Sequence, residues 1–109
     1  MNKTILLITL TGTTLFFAQC ASKKATTTGM SAESKAAVDE AKRNYTPAQM
    51  EEGKTISLQS CNKCHKYHQP QEFTVVKWEK VLPSMTQKAK LSQDDAGKVR
   101  AYLISNAKM

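Results

Sequence analysis

Apolar side chains fall along this chain in three patterns. Ile5 to Ala18 form an apolar run broken by Thr9, Thr11, Gly12, Thr13 and Thr14. From residue 21 to residue 44 bulky apolar side chains nearly vanish, and Val38 is the one bulky aliphatic in the Ala-, Glu- and Lys-rich stretch Ser31 to Arg43. Such a stretch buries too little surface to offset ordering entropy, so it reads as a solvated, transiently helical tether. From Tyr45 onward apolar residues recur at helical spacing, with no convincing alternation of the kind a strand needs. The expected fold class is all-α, with three to four small helices.

Each helix in this third region carries its own start signal. Thr46-Pro47-Ala48-Gln49 combines an N-cap, a proline at the first helical position and a residue that closes a capping box. The helix it opens carries Met50, Gly53, Ile56 and Ser57 on one side and leads into Cys61. Gly53 costs about 1 kcal/mol there relative to Ala, and close approach of another helix is the reason to keep it. Lys66 to Phe73, with Pro70, reads as a loop. Thr74 opens a second helix with Trp78, Val81 and Leu82 inward, and Pro83 is expected to end or kink it near Leu82. Met85 is thereby placed in or beside a loop. Ser92, followed by Asp94 and Asp95, opens a third helix with Ala96, Val99, Leu103 and Ala107 as its buried stripe, flanked by Tyr102 and Ile104.

The amino terminus changes the picture. Lys3 and the apolar run have the layout of an export signal over residues 1–19, short of the roughly 20 apolar residues of a membrane-spanning helix. Phe17-Ala18-Gln19-Cys20-Ala21-Ser22 resembles a bacterial lipobox, with Gln19 where that family has a small residue. The resemblance implies that Cys20 becomes the first mature residue and carries lipid. The competing reading is an ordinary signal cleaved near Ala21, leaving a soluble periplasmic protein, or an uncleaved anchor. The expected organisation is a signal at 1–19, a lipid-anchored flexible tether at 20–44 and a folded domain at 45–109.

The candidate chemistry lies in Cys61-Asn62-Lys63-Cys64-His65. C-x-x-C-H is the attachment sequence for c-type haem. Two intervening residues let both sulfurs reach one porphyrin edge, and the adjacent histidine supplies a proximal iron ligand. Two other readings compete. Cys61, Cys64, His65 and His68 also spell a Cys2His2 zinc set, although structural zinc sites usually draw ligand pairs from separated parts of the chain. A thiol-redox C-x-x-C needs a βαβ context that this chain lacks. With Cys61 and Cys64 committed to haem, only Cys20 of the three cysteines remains. Aromatic content is 6%, and a bound porphyrin would add apolar surface that the side chains lack.

From Tyr45 to Lys108 the chain resembles class I monohaem cytochromes c. The resemblance rests on the helix before Cys61, the Trp78…Leu82-Pro83-Ser84-Met85 segment and the terminal helix from Leu91 through Ala101-Tyr102-Leu103. It implies a small cytochrome c fold around one covalent haem c, and close crossing of the first and last helices at Gly53 and Tyr102. It also implies Met85 as distal iron ligand, a soft thioether that raises the potential for reversible electron transfer. Core filling is the competing role for Met85. The stretch between His65 and the terminal helix is short for this family. Trp78 reads as haem-pocket wall, or as a propionate partner through its indole N–H, rather than as a redox relay, with core packing the favoured reading, and His68 as an exposed loop residue.

Charge sharpens the expectation about partners. The chain carries 16 Lys and Arg against nine Asp and Glu, a formal +7. Residues 45–109 alone carry ten against six, with Lys63, Lys66, Lys77, Lys80, Lys88 and Lys90 flanking the segments named above. A basic surface around a haem edge would steer acidic redox proteins, whereas an ordinary solvated lysine surface is the plainer reading. Nucleic acid is not an expected partner of an exported haem protein. The sequence therefore points to a non-enzymatic one-electron carrier on the periplasmic side of a bacterial membrane. It would pass electrons from a membrane donor to a terminal oxidase or reductase. The alternatives are a gas-binding or weakly peroxidatic haem protein with an open sixth position, and a haem-free zinc or structural module.

Overall fold

The computed structural model describes residues 31–108. Helix α1 spans Ala32–Asn44, α2 Pro47–Cys61, α3 Val75–Lys88 and α4 Gln93–Ser105, with a single 3₁₀ turn at Pro70–Glu72. Among the described residues there is no strand, and an isolated parallel bridge joins Thr74 to Lys108. None of these helices is long and apolar enough to cross a membrane. The expected export signal at 1–19, Cys20 and the tether as far as residue 30 lie outside the described residues.

Helix α4 is the centre of the packing, touching each of the other three helices. That position explains why Val99, Ala101, Leu103 and Ile104 are all buried, more than the single stripe expected from periodicity. The remaining core comes from Val75, Trp78 and Leu82 of α3 and from Val38 and Ala41 of α1. Ala107 lies beyond the end of α4 and is only partly buried.

The tight crossing is between α2 and α4. A Cβ built on Gly53 would overlap the Lys98 carbonyl, and one on Gly97 would overlap the Tyr45 ring hydroxyl. Gly53 thus meets the α4 backbone at Lys98 and Val99, one turn before Tyr102. The start of α2 follows its sequence signals: Thr46 accepts from the Gln49 amide at 3.2 Å, and Gln49 returns an acceptor to the Thr46 amide at 2.9 Å.

Two expectations are corrected. Residues 32–44 are not a solvated tether but a helix of the folded unit, capped by Ser31, with Ser34, Val38 and Ala41 buried. Arg100 of α4 anchors it from a distance in sequence. Its guanidinium donates to Glu40 at 2.9 Å and to both carboxylate oxygens of Glu79 on α3. The second correction concerns Pro83, which lies inside α3 without ending it. A proline there removes a backbone donor and costs about 3 kcal/mol. The apolar stripe Val75, Trp78 and Leu82 continues through it toward Met85, so burial holds the helix together. The Thr86 hydroxyl donates to the Leu82 carbonyl at 3.0 Å just beyond the proline.

Candidate functional site

The C-x-x-C-H motif sits where α2 stops. Cys61 is the last residue of α2, residues 62–64 turn, and His65 begins a loop that runs to the 3₁₀ turn. Cys61 is half-buried and Cys64 exposed, both as free thiols. Burial, and then the neighbouring Cys64, push the Cys61 thiol above its ordinary pKa. The site is thus thiol-rich and accessible from one side.

Opposite the motif stands α3. Cys61, Cys64, His65 and Met85 line one cleft with Ser60, Lys88 and Ala89, a space of about 130 Å³. Behind it, Cys61, His65 and Met85 also border an inner cavity with Tyr67, His68, Trp78 and Leu103. That cavity is about 10 Å³, at most one water in size. Met85 lies in the last turn of α3, within the helix rather than in a loop. It shares both spaces with the motif and also packs against the core.

The two histidines are each fixed through one ring nitrogen. His65 Nδ1 lies 2.8 Å from the Lys66 carbonyl, which can only accept, so Nδ1 carries the proton and the neutral ring keeps its lone pair at Nε2. Hydrogen bonding of the far nitrogen to a carbonyl or carboxylate is how ligating histidines are oriented. His68 Nδ1 lies 2.7 Å from Glu72, whose other oxygen accepts from the Gln69 amide. His68, and then that amide, hold the Glu72 carboxyl below its usual range. The expected loop position of His68 is correct, but its ring is only partly exposed and faces the inner cavity.

Aromatic rings continue from the motif into the core. His65 and His68 have centroids 5.6 Å apart, His68 and Phe73 4.9 Å, and Phe73 meets Trp78 edge-on at 5.1 Å. Trp78 is almost wholly buried and its indole N–H donates to the Pro70 carbonyl at 2.8 Å. That donor is therefore committed to the loop, consistent with the reading of Trp78 as core and cavity wall.

A hydroxyl chain that sequence reasoning missed joins the loop to the helix crossing. Ser57, fully buried on α2, donates to the Lys54 carbonyl at 2.8 Å. Its oxygen lies 3.3 Å from the Tyr67 hydroxyl, so Tyr67 is the donor in that contact. Tyr102 lies next along from Tyr67. Burial first, and the neighbouring Tyr67 hydroxyl second, push the Tyr102 phenol up to about 12. The only sequence signal was Tyr67 two residues after His65, which does not identify partners 10 and 35 residues away.

Among the described residues no three or more His, Cys, Asp or Glu side chains gather to hold a metal ion. The zinc set Cys61, Cys64, His65 and His68 is therefore not assembled. The groups available to hold a haem are the Cys61 and Cys64 sulfurs, His65 Nε2 and the Met85 thioether, and this donor set fits the group. Both spaces are smaller than the roughly 300 Å³ at which small-molecule pockets begin, so a porphyrin needs residues 62–69 moved away from α3. No protein-family model, curated protein or solved structure matches this chain.

Proposed function

We propose that this protein is a c-type cytochrome, a one-electron carrier holding one haem through Cys61 and Cys64. The observation that carries the reading is the convergence of the C-x-x-C-H motif and Met85 on one cleft from opposite elements. Bound haem would supply the Fe(II)/Fe(III) couple. The chain would supply the rest: two sulfurs for thioether bonds, Nε2 of His65 as proximal ligand and the Met85 sulfur as distal ligand. Trp78, Leu103 and Tyr67 would exclude water from the inner edge. Nothing in this arrangement calls for substrate turnover.

The surrounding charge supports protein partners of acidic character. Lys88 lines the cleft, and Lys63 and Lys66 lie exposed beside it. Lys54, Lys98 and Arg100, by contrast, are paired with carboxylates. With export through residues 1–19 and lipid at Cys20, the carrier would work at the periplasmic face of a bacterial membrane, between a membrane donor and a terminal oxidase or reductase.

The second reading is a haem protein with an open sixth position, able to bind a diatomic gas or act as a weak peroxidase. It follows if Met85, held within α3, stays off the iron. The far-red spectrum of the oxidised haem-loaded protein separates the two. Electron carriage predicts a sulfur-to-iron charge-transfer band that disappears in Met85→Ala. No band in the wild type, together with carbon monoxide binding to the reduced protein, would reject Met85 ligation in favour of the open site.

A further inference from the structure

The cleft between the end of α2 and α3 gathers sulfur in a way that haem attachment does not exhaust. Two thiols, Cys61 and Cys64, and one thioether, Met85, line the same space of about 130 Å³. Soft sulfur donors select soft ions, and thiolate with thioether is a Cu(I) preference. Borderline divalent ions such as zinc require a tetrahedral set of nitrogen and sulfur ligands. His65 also borders the cleft, yet among the described residues Cys61, Cys64 and His65 do not gather as a metal-holding group of three. The donor count therefore suits a d¹⁰ monovalent ion content with two or three sulfurs, and not a four-coordinate zinc.

We propose that, in the haem-free chain, this cleft binds one Cu(I) ion through the Cys61 and Cys64 thiolates and the Met85 thioether. Two thiol protons leave to solvent as two S–Cu bonds form, and no electron is transferred. The bound unit carries a net negative charge, and Lys88, which lines the cleft, provides the compensating cation. His65 borders the same cleft, with Nδ1 on the Lys66 carbonyl and Nε2 free. Because the same sulfurs would form the haem thioethers, copper and haem exclude each other: an apo-chain loaded with Cu(I) is blocked from haem attachment.

The test uses the full haem-free chain with Cys20→Ser, which removes the third thiol, reduced and kept anaerobic. Cu(I) is titrated against a colorimetric Cu(I) chelator. The expected result is one Cu(I) per chain withheld from the chelator, with loss of retention in Cys61→Ser and in Cys64→Ser. Met85→Leu, close to isosteric, is expected to weaken binding about tenfold while leaving the helical circular dichroism unchanged. No retention by the parent chain would overturn the proposal. So would retention that is indifferent to Met85→Leu, because the thiols alone would then account for it. The measurement is made without haem, so its outcome is independent of whether the chain is a cytochrome.

Discussion

Gly53 of α2 lies directly against the Lys98 carbonyl of α4, with no room between them for a single methyl group. Helices α2 and α4 are thereby locked at backbone contact, and Cys61 is carried two turns beyond the crossing. Gly53→Ala should gain helix propensity yet lose more through overlap with a backbone carbonyl that cannot rotate away. The expected net destabilisation is about 1–3 kcal/mol, read as a lower urea midpoint at unchanged slope. An unchanged or raised midpoint would mean the crossing is loose.

Helix α1 should detach before the rest unfolds when its ion pair is removed. Arg100→Met leaves Glu40 without its α4 partner, and with side chains about one-third exposed the cost is about 1–2 kcal/mol. Amide hydrogen exchange in residues 35–44 should accelerate while α2 and α4 stay protected. Acid should act likewise. The Arg100 hydrogen bond holds the Glu40 carboxyl below its ordinary value of 4.5. The stabilisation from this group is therefore complete above that value and fades as pH falls through the lowered one. Uniform exchange across all helices would contradict this.

At the alkaline end the Tyr102 phenol should set the behaviour. Its folded value is raised to about 12 from an ordinary 10. The neutral form is favoured by the fold, so the associated stability is full below pH 10 and is lost as pH rises through about 12. Ultraviolet titration should show one late-ionising tyrosine that is absent in Tyr102→Phe. If the late-ionising step persists in Tyr102→Phe, the raised value does not belong to Tyr102 and the account of its burial beside Tyr67 fails.

Lys90 adopts φ 54°, the left-handed conformation usual for glycine. It closes α3 as a Schellman turn, with Leu91 N–H on the Thr86 carbonyl and Lys90 N–H on the Gln87 carbonyl, each at 3.0 Å. Lys90→Gly should stabilise the protein by about 0.5–1 kcal/mol through relief of that strain. Thermal or urea unfolding provides the check, and a loss of stability would show that the lysine side chain contributes there.

What the sequence disclosed and what it hid divide along the distance between partners. The Thr46–Gln49 capping box, the Ser92 cap and the placing of Cys61 at the end of a helix were legible because each is settled within a few residues, while Gly53 signalled a close helix approach by its cost alone, without naming Lys98 as the contact. Helix α1 was not. Its one large aliphatic, Val38, predicts no docking, and its anchor is Arg100, 60 residues away. Pro83 misled for the opposite reason. A valid local rule yields to burial of Trp78 and Leu82 on the same helix, and Met85 moves with it from loop to helix. Met85 still lines one cleft with the motif, a proximity that its misread scaffold did not remove.

The central claim, covalent haem on the C-x-x-C-H motif, is tested most directly by the intact mass of the chain after denaturation. The whole sequence from Met1 would be expressed in cells competent for c-type maturation. The account predicts one haem retained per chain under denaturing conditions, with retention by both thioethers lost when Cys61 and Cys64 are together replaced by serine. A colourless chain at its unmodified polypeptide mass from those cells would contradict it.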